Sequence, residues 1–439
     1  MHQYVGELVD LTDSTLNRLD DLTLDDARAR VLSGDPAAVR AIGGSFAIVA
    51  REGETVRIAR SLDRPVRYFL AKKVEGPALI VADRIDVIYA WLKAHGFDDQ
   101  FHPNYTRMVP AHYVTTIRIV GCPDPSPSYA RFIASQPGTL SDDTDVIGRA
   151  YIGALSNEIG TWLRRVPADA PVGVSFSGGI DSGSVFLVTA HVMRTMGLNL
   201  GRLKAFTLDA GEGPDLVQAR EFLDAVDMGL FLEPITAMPS AFDTDEVIRI
   251  TEDYKSLDVE CATMSLALLR GIRERYPDWK YLADGDGGDE NMKDYPIDEN
   301  PELTIRSVVN NPMLYQEGWG VGTMKHSLTY SGGLSRSYVR TYAPARHFGF
   351  EGFSPYTRPA LVEIAASLPW DALTGYDTAR LYELKGEIVA KGVRAVTGME
   401  MPVFTKRRFQ HGAIDADAMR RALPWSEAEY RNRFFALYA

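Results

Sequence analysis

The chain has 439 residues, 45% of them hydrophobic, which is typical of a globular protein with two or three domains. Its net charge of −12 argues against nucleic-acid or anionic-membrane partners. No apolar run could span a bilayer, and the first residues lack the pattern of a signal peptide, so we expect a cytoplasmic protein. The distant Cys122 and Cys261 favour core packing over a disulfide framework or a zinc site.

Short strands with little helix are predicted up to about residue 120. The segment "GSFAIVAREGETVRIARSL" predicts a hairpin whose strands flank residues 51–54. "ALIVADRIDVIYAWLKAHG" predicts a strand that leads into a helix, and "AHYVTTIRIVG" predicts a further strand. The prolines and serines of "CPDPSPS" then predict an irregular connector. We therefore place a first domain at 1–122 and a linker at 123–140.

Strands alternate with helices from about residue 141 onward. "VIGRAYIGALSNEIGTWLRRV" has helical spacing, and it precedes the short apolar strands "VGVSF", "KAFTLD" and "YLADG". Helical segments such as "DLVQAREFLDAV" and "ATMSLALLRGIRERY" separate these strands. This alternation predicts an α/β domain at 141–439, with a parallel sheet covered by helices on both faces.

A small turn rich in hydroxyl groups follows the first of these strands, in "VGVSFSGGIDSGSVF". Ligands of open α/β sheets bind at the carboxyl ends of the strands, where this turn lies. Gly178 and Gly179 let the backbone approach a ligand closely, and Ser177 and Ser182 supply hydroxyl donors. A helix expected to start near Ser182 would point its amides at the turn, which predicts a site for an anion such as pyrophosphate.

Two carboxylates near strand ends suggest a divalent cation. Asp181 would repel a pyrophosphate unless a cation lay between them, so its presence in the turn points to magnesium. The segment "YLADGDGGDE", 281–290, repeats this pattern with an apolar strand end, three glycines and then acids. Asp289 in this second turn is the candidate for the other magnesium ligand.

The first turn resembles the PP-loop of the ATP pyrophosphatases, which cleave ATP between the α and β phosphates. Its spacing differs from both the Walker and the dinucleotide-binding glycine patterns. Further segments in the same order resemble the synthetase domain of the asparagine synthetase B family, which includes β-lactam synthetase, carbapenam synthetase and the lasso-peptide cyclases. These segments are "FTLDAGEGPDLVQAREFLD", "GDGGDE", "FGFEGFSPY" and "KRRFQHG".

The N-terminal part is similar to the glutamine amidotransferase domain of the same family. The similarity lies in "GGSFAIVA", "ARSLDRPVRYFL" and "VADRIDVIYAWL", and it implies an Ntn-type β-sandwich over 1–122. A working glutaminase needs a cysteine directly after the initiator Met, whereas this chain has His2. We therefore expect a degenerate domain without glutaminase activity.

The resemblance implies a PP-loop domain of the adenine nucleotide α-hydrolase-like type, with a helical C-terminal part, that uses ATP and Mg²⁺. Such a ligase adenylates a substrate carboxylate, releases pyrophosphate, and lets an amine attack so that AMP leaves. Asp181 and Asp289 would hold the metal. The residues expected to bind the nucleotide are Val174, Ser175, Phe176, Ser177, Gly178, Gly179, Asp181, Ser182, Phe206, Thr207, Leu208, Gly285, Lys385 and Lys406.

Three residues are expected in catalysis through the same resemblance. Lys406 aligns with a lysine that stabilises the charged intermediate, and Glu351 matches a glutamate that acts as the general base or its partner. β-Lactam synthetases have a tyrosine that pairs with a glutamate where this chain has Asp286. This difference argues against a β-lactam product.

Several functions remain open from the sequence. The ligase could close a ring or join two molecules, and a small lactam, an amide or a cyclised peptide from a specialised pathway such as antibiotic biosynthesis would fit. Alternatively, it could use free ammonia as asparagine synthetase does. A tRNA-modifying PP-loop enzyme is disfavoured by the acidic charge, and a catalytically dead ATP-binding scaffold is the non-enzymatic alternative. The substrate would be a small-molecule or peptide carboxylate with an amine, and a homodimer is compatible with the family.

Overall fold

The computed structural model describes residues 6–118, 127–134, 136–211, 213–237, 242–294, 297–299, 303–310, 341–404, 414, 417, 421–423 and 426–439. These residues divide into two compact units. The first unit comprises the described residues up to Ala134 together with Arg431–Ala439, and the second comprises those from 136 to Tyr430. The domain limits at 122 and 140 stay predictions. No helix within the described ranges is long and apolar enough to cross a membrane.

The first unit contains two four-stranded sheets. Its strands are β1 (Glu7–Asp10), β2 (Arg18–Leu19), β3 (Gly44–Ser45), β4 (Ala47–Glu52), β5 (Thr55–Arg60), β6 (Arg67–Ala71), β7 (Ala78–Ala82), β8 (Arg107–Met108), β9 (Tyr113–Arg118) and β10 (Ser128–Arg131). One sheet has the order β1-β7-β6-β8 and the other has the order β10-β9-β5-β4, while β2 and β3 form a short ribbon. Its helices are α1 (Leu24–Ser33), α2 (Pro36–Arg40) and α3 (Ile85–Ala94).

One hydrophobic core joins the two sheets of this unit, because Ile58 and Ile117 of one sheet pack in the same cluster as Tyr68 and Val81 of the other. The predicted hairpin is confirmed as the antiparallel pair β4 and β5, and the strand that leads into α3 is confirmed as β7. The turn is shorter than predicted. Glu52 pairs with Thr55, so only two residues connect the strands.

The second unit contains five parallel strands covered by helices. The strands are β11 (Val172–Ser175), β12 (Leu203–Asp209), β13 (Leu232–Thr236), β14 (Tyr281–Ala283) and β15 (Glu351–Phe353). The helices are α4 (Thr144–Arg165), α5 (Ile180–Thr195), α6 (Asp215–Ala225), α7 (Thr244–Thr251), α8 (Ser256–Arg275), α9 (Gly288–Asn291), α10 (Ile305–Val309), α11 (Ala343–His347), α12 (Pro359–Ala366), α13 (Trp370–Thr374) and α14 (Thr378–Thr397). A last helix, α15 (Glu427–Ala436), begins in this unit.

The strand order of this sheet creates a crevice at its centre. The order is β13-β12-β11-β14-β15, and every pair is parallel, which confirms the predicted parallel sheet. The chain runs outward from β11 through β12 and β13, then returns to β14 on the other side. At such a reversal the connections leave neighbouring strands in opposite directions, so a ligand can enter between them. Val174 lies opposite Ala283, so the segments after β11 and β14 leave the sheet side by side.

The long helices α4 and α14 cross with their backbones in direct contact. A Cβ atom on Gly148 would lie 2.5 Å from the carbonyl oxygen of Ile388, and one on Gly392 would lie 2.3 Å from the carbonyl oxygen of Gly148. No larger side chain fits at either position without moving a helix. The crossing therefore fixes α14 against α4.

Three arginines are fully buried in the first unit, namely Arg60, Arg64 and Arg67. Burial, together with the nearby Arg67 guanidinium, lowers the pKa of Arg60 to about 9. Arg64 donates to the buried Asp83 carboxylate at 3.0 Å, and Arg67 donates to the Asp83 carbonyl oxygen at 3.0 Å. The carboxylate of Asp83 therefore offsets part of the cost of burying these cations.

Asp253 is a fully buried carboxylate in the turn between α7 and α8. Burial raises its pKa to about 7, the neighbouring Asp258 carboxylate also raises it, and Lys255 lowers it. Its Oδ1 atom accepts hydrogen bonds from the backbone N–H groups of Tyr254 at 2.6 Å and Lys255 at 3.0 Å. Because its pKa is near neutrality, this group exchanges a proton over the physiological pH range.

We predict that Asp83→Asn destabilises the protein by about 3–5 kcal/mol, because it leaves the buried Arg64 without its carboxylate. Equilibrium urea unfolding of the full-length chain would measure the loss. Asp86→Asn is the matched control, since Asp86 pairs with Arg84 at the surface and its loss should cost at most about 1 kcal/mol. Equal losses in the two variants would contradict the role of Asp83.

We also predict that Asp253 makes the protein less stable as the pH rises from about 4 to about 7. In this range the native carboxyl keeps a proton that the unfolded chain releases, so its contribution falls by at most about 1.4 kcal/mol per pH unit. Asp253→Asn should remove this contribution, whereas the exposed control Asp278→Asn should keep it. Urea unfolding at pH 5, 6 and 7 would measure the difference, and identical slopes for wild type and Asp253→Asn would refute it.

Candidate functional site

The turn after β11 leads directly into α5, which begins at Ile180 with Gly179 as its N-cap residue. The helix starts two residues before the predicted Ser182, so Asp181 and Ser182 lie in its first turn. The Ser182 hydroxyl accepts a hydrogen bond from the backbone N–H of Ser177 at 3.2 Å, and the Ser177 hydroxyl accepts one from Gly179 at 3.3 Å. These two hydrogen bonds close the turn at the N-terminal end of α5. The positive end of the helix dipole lies there and favours the binding of an anion.

Gly178 is required where this turn meets α6. Its φ angle is +72°, and a Cβ atom there would lie 2.9 Å from the backbone of Gln218 and Ala219. The side chain of Gln218 also donates to the carbonyl oxygen of Ser177 at 3.2 Å. Any residue with a side chain would therefore be strained here and would push the turn away from α6.

The strand ends predicted to grip the nucleotide are tied together by their backbones. The N–H group of Phe176 donates to the carbonyl oxygen of Phe206 at 2.8 Å, and the Thr207 hydroxyl donates to the carbonyl oxygen of Phe176 at 2.8 Å. The side chains of Val174, Phe176, Phe206 and Leu208 are buried, whereas Ser175 is partly exposed. Contact with a nucleotide through the backbone here stays a prediction.

The acidic turn after β14 is held by Asp284. Its carboxylate accepts hydrogen bonds from the backbone N–H of Asp286 and from the Ser354 hydroxyl, each at 2.9 Å. Its own N–H donates to the carbonyl oxygen of Phe353 at 3.1 Å. Asp284 therefore ties the turn to the end of the neighbouring strand β15. Gly287 completes the turn with a φ angle of +101°.

Two glycines bring the acidic turn into contact with the first turn of α5. A Cβ atom on Gly285 would lie 2.7 Å from the backbone nitrogen of Ser182, and one on Gly288 would lie 2.1 Å from Oδ1 of Asp181. Gly285 cannot carry a side chain without separating the turns, and a side chain on Gly288 would displace the Asp181 carboxylate. The predicted site residues Gly285, Asp181 and Ser182 are therefore neighbours in the structure.

A buried lysine joins the two predicted metal ligands. The Lys385 side chain is 2% exposed, its Nζ atom lies 2.5 Å from Oδ2 of Asp181, and it also contacts Oδ1 of Asp289. Asp294 Oδ2 lies 3.5 Å from the same nitrogen. Burial disfavours the ammonium, but Asp181, Asp289 and Asp294 outweigh it and raise the pKa of Lys385 well above its usual range. We refer to these four residues as the ion cluster.

Buried polar groups connect the elements that carry this cluster. The Tyr356 hydroxyl is hydrogen-bonded to the Ser184 hydroxyl of α5 at 2.6 Å. The Asn291 amide donates to the Tyr151 hydroxyl at 3.0 Å and to the Tyr356 carbonyl oxygen at 2.8 Å. Burial, and then the Asp181 carboxylate, raise the pKa of Tyr356. The network therefore contains a neutral tyrosine close to the charged groups.

Carboxylates that converge on one ammonium can also converge on a small cation. Within the described ranges, no group of three or more His, Cys, Asp or Glu side chains is arranged as a complete metal site. Magnesium is commonly held by only one or two protein carboxylates, with phosphate oxygens and waters as the other ligands. Asp181 and Asp289 fit this pattern beside a turn suited to a phosphate.

Two of the three predicted catalytic residues, Glu351 and Asp286, lie in the described part of the chain. Glu351 begins β15 opposite Tyr281, at the amino end of the strand, and its Oε2 atom lies 3.8 Å from Nζ of Lys280. Asp286 lies in the acidic turn and accepts a hydrogen bond from the Thr341 hydroxyl. Lys406 lies outside the described residues. The catalytic roles of these residues stay predictions.

The sequence analysis did not identify Asp294 or the polar network around Tyr356. Asp294 follows the acidic turn by only a few residues, and Tyr356 ends the segment "FGFEGFSPY", so each adjoins a recognised motif. Ser184 also lies within the segment "VGVSFSGGIDSGSVF", whereas Tyr151 has no such signal, because it lies among the buried residues of the long helix α4. Of the two cysteines, Cys261 is buried and forms no disulfide within the described residues, and Cys122 lies outside them.

Comparison with known proteins gives one family match and several distant relatives. Asparagine synthetase [glutamine-hydrolyzing] 2 of Lotus japonicus is 24% identical over 223 residues, which is 50% of this chain and 35% of the relative. The root asparagine synthetase [glutamine-hydrolyzing] of Pisum sativum is 22% identical over the same coverage. The nodule enzyme of Pisum sativum is 28% identical over 134 residues, 29% of this chain and 22% of the relative.

The alignments thus span about a third or less of the length of these relatives. The family model described as asparagine synthase matches residues 162–340. This range includes the turn after β11, the first turn of α5 and the acidic turn after β14. The chain therefore contains a segment, 162–340, that is similar to the asparagine synthase domain, and it is distantly similar to the asparagine synthetases of Lotus japonicus and Pisum sativum.

Proposed function

We propose that this protein is an ATP-dependent ligase that forms an amide bond and releases AMP and pyrophosphate. The contact between the turn after β11 and the acidic turn carries this proposal, because it brings anion-binding amides and two carboxylates to the central crevice of the sheet. The match of residues 162–340 to the asparagine synthase family model supports a ligase that forms carbon–nitrogen bonds. In this proposal the second unit is a PP-loop domain and the first is a degenerate Ntn-type domain.

The reaction has two steps. A carboxylate oxygen of the substrate attacks the α-phosphorus of ATP, the bond from that phosphorus to the bridging oxygen breaks, and pyrophosphate leaves. An amine nitrogen then attacks the acyl carbon, AMP leaves with the former carboxylate oxygen, and the amine loses a proton. The bond formed is an amide, the bond broken is the α–β phosphoanhydride of ATP, and the by-products are AMP and pyrophosphate.

The chain would contribute binding and charge to these steps. The amides of 177–179 and the Ser182 hydroxyl would hold the pyrophosphate part of ATP at the positive end of α5. Asp181 and Asp289 would hold Mg²⁺, which when bound supplies charge neutralisation for the leaving pyrophosphate. Lys385 would donate to a phosphate oxygen. Lys406, Glu351 and Asp286 remain the candidates for stabilising the intermediate and for moving the proton of the amine.

The second candidate function is ammonia-dependent amidation of a carboxylate. It is favoured by the relatives, whose names are asparagine synthetases. Those names also include glutamine hydrolysis, whereas this sequence has His2 where the family places its nucleophilic cysteine. An amine within the substrate, or free ammonia, would then replace glutamine as the nitrogen source.

We predict that the full-length protein, given ATP, MgCl₂ and a small-molecule extract of its source cells, releases AMP and pyrophosphate in equal amounts. Asp181→Asn and Asp289→Asn should each lower the rate at least about 100-fold, because the charge that develops on the phosphates loses its stabilisation. The control is Asp371→Asn, at an exposed position of α13. Mass spectrometry would follow the nucleotides and the extract together.

The product mass decides between the reactions. Loss of one water from one metabolite indicates ring closure, and the joining of two metabolites indicates an intermolecular amide. Replacement of a hydroxyl by an amino group indicates ammonia as the nucleophile. If no AMP forms above the level of Asp181→Asn while calorimetry still detects ATP binding, the ligase proposal fails and an ATP-binding scaffold replaces it.

We further predict that the protein does not release glutamate from glutamine, because it has His2 at the position where the family places its nucleophilic cysteine. The protein would be incubated with ATP, MgCl₂, the extract and either amide-¹⁵N-glutamine or ¹⁵N-ammonium. If the product incorporates external nitrogen, the label should come from ammonium alone. Label from glutamine, in the absence of any other glutaminase, would refute the assignment of a degenerate domain.

A further inference from the structure

The Lys385 ammonium lies where the two predicted magnesium ligands converge. It contacts both Asp181 and Asp289 through single carboxylate oxygens, and it is more buried than either of them. The Asp181 and Asp289 side chains are 20% and 37% exposed, so part of each side chain stays accessible to a ligand. The Lys385 ammonium therefore already bridges the Asp181 and Asp289 carboxylates from the interior of the protein.

The ion cluster needs this cation for its own stability. Its three carboxylates and one ammonium carry a net charge of −2. Without the ammonium, the three carboxylates would repel one another at close range in a partly buried site. A cation between the carboxylates therefore favours their close approach.

We propose that Lys385 is a placeholder for the divalent cation, which means that its ammonium binds Asp181 and Asp289 when no metal is present. Mg²⁺ and the Lys385 ammonium therefore compete for these two carboxylates. This inference rests on the proposed binding of ATP with magnesium. A bare cation must displace the lysine from its carboxylates without offering it a new partner. A nucleotide with its cation offers a phosphate to the released ammonium. Metal and nucleotide therefore bind together, and the metal alone binds poorly.

The surrounding structure lets the side chain move while the helix stays in place. The helix α14 is fixed by the contact of Gly392 with Gly148, and by Glu387, which accepts a hydrogen bond from the Thr144 hydroxyl of α4 at 2.6 Å. Lysine carries its charge on a flexible four-carbon stem. Exchange of Lys385 from carboxylate to phosphate thus requires rotation about side-chain bonds only.

Titration with MgCl₂ in the absence of nucleotide, at constant ionic strength, tests this inference by calorimetry and by thermal unfolding. Lys385→Met should bind Mg²⁺ at least about tenfold more tightly than wild type, a difference of about 1.4 kcal/mol. Mg²⁺ should raise the melting temperature of the variant, whereas wild type should respond only when a non-hydrolysable ATP analogue is added with the metal.

The matched control is Lys391→Met, on the same helix. Lys391 pairs with Asp145 and Glu387 at 3.0 Å each, so its loss also removes a lysine held by two carboxylates, but a more exposed one and away from the predicted metal ligands. This control should bind Mg²⁺ as wild type does. Lys385→Gln repeats the test with a polar side chain if the Met variant does not fold.

Equal Mg²⁺ affinity of wild type and either Lys385 variant would overturn the placeholder role. The placeholder role would also be overturned if Mg²⁺ alone raised the melting temperature of the wild-type protein as much as that of Lys385→Met. Neither result depends on AMP release, so the ligase proposal would stand or fall separately. If the wild-type protein responds to neither Mg²⁺ nor the ATP analogue with Mg²⁺, the shared assumption of a magnesium–nucleotide site fails, and the placeholder role fails with it.

Discussion

The close contact between the acidic turn and the first turn of α5 sets the geometry of the whole site. Gly285 and Gly288 allow this contact, since a Cβ atom at either position would overlap Ser182 or Asp181. The parallel pairing of β11 with β14 aims the two turns at the same place, and Asp284 ties the second turn to β15. Backbone packing thus places the carboxylates before any ligand contributes.

The two units illustrate different uses of buried charge. In the first unit, Arg64 and Asp83 are both almost inaccessible to solvent, so their pair serves the fold. In the second unit, Lys385 is equally buried, but its partners Asp181 and Asp289 keep part of their surface in the crevice. A charged pair with one accessible side can exchange partners with a ligand, whereas a fully enclosed pair cannot do so without unfolding part of the core.

The position of Lys385 depends on packing far from the crevice. The crossing of α14 with α4 at Gly392 and Gly148 holds the helix, and the Glu387 carboxylate joins α14 to Thr144 on α4. Burial opposes the Glu387 charge, but hydrogen bonds from Thr144, Lys391 and Arg380 outweigh it and lower its pKa to about 2. The backbone contact between Gly392 and Gly148 lies away from the predicted metal ligands, yet it fixes the helix that carries the ammonium.

The sequence by itself determined the features that depend on neighbouring residues. The hairpin of β4 and β5, the strand that leads into α3, and the alternation of strands and helices in the second unit all follow from local periodicity and turn residues. The turn at 177–179 and the acidic turn were recognised for the same reason, because each combines glycine and polar residues directly after an apolar strand.

Only the tertiary structure decided which of these features meet. The strand order, with β13 and β15 at the edges, depends on pairing between segments distant in sequence, for which a single chain offers no local signal. The same holds for Lys385, which lies 204 residues from Asp181 in the chain, and for Asp294 and Tyr356. Glu351 resembles a catalytic residue by its motif, yet its place at the amino end of β15 depends on strand register. Contacts between distant segments are fixed by packing of the whole core, and no local pattern encodes them.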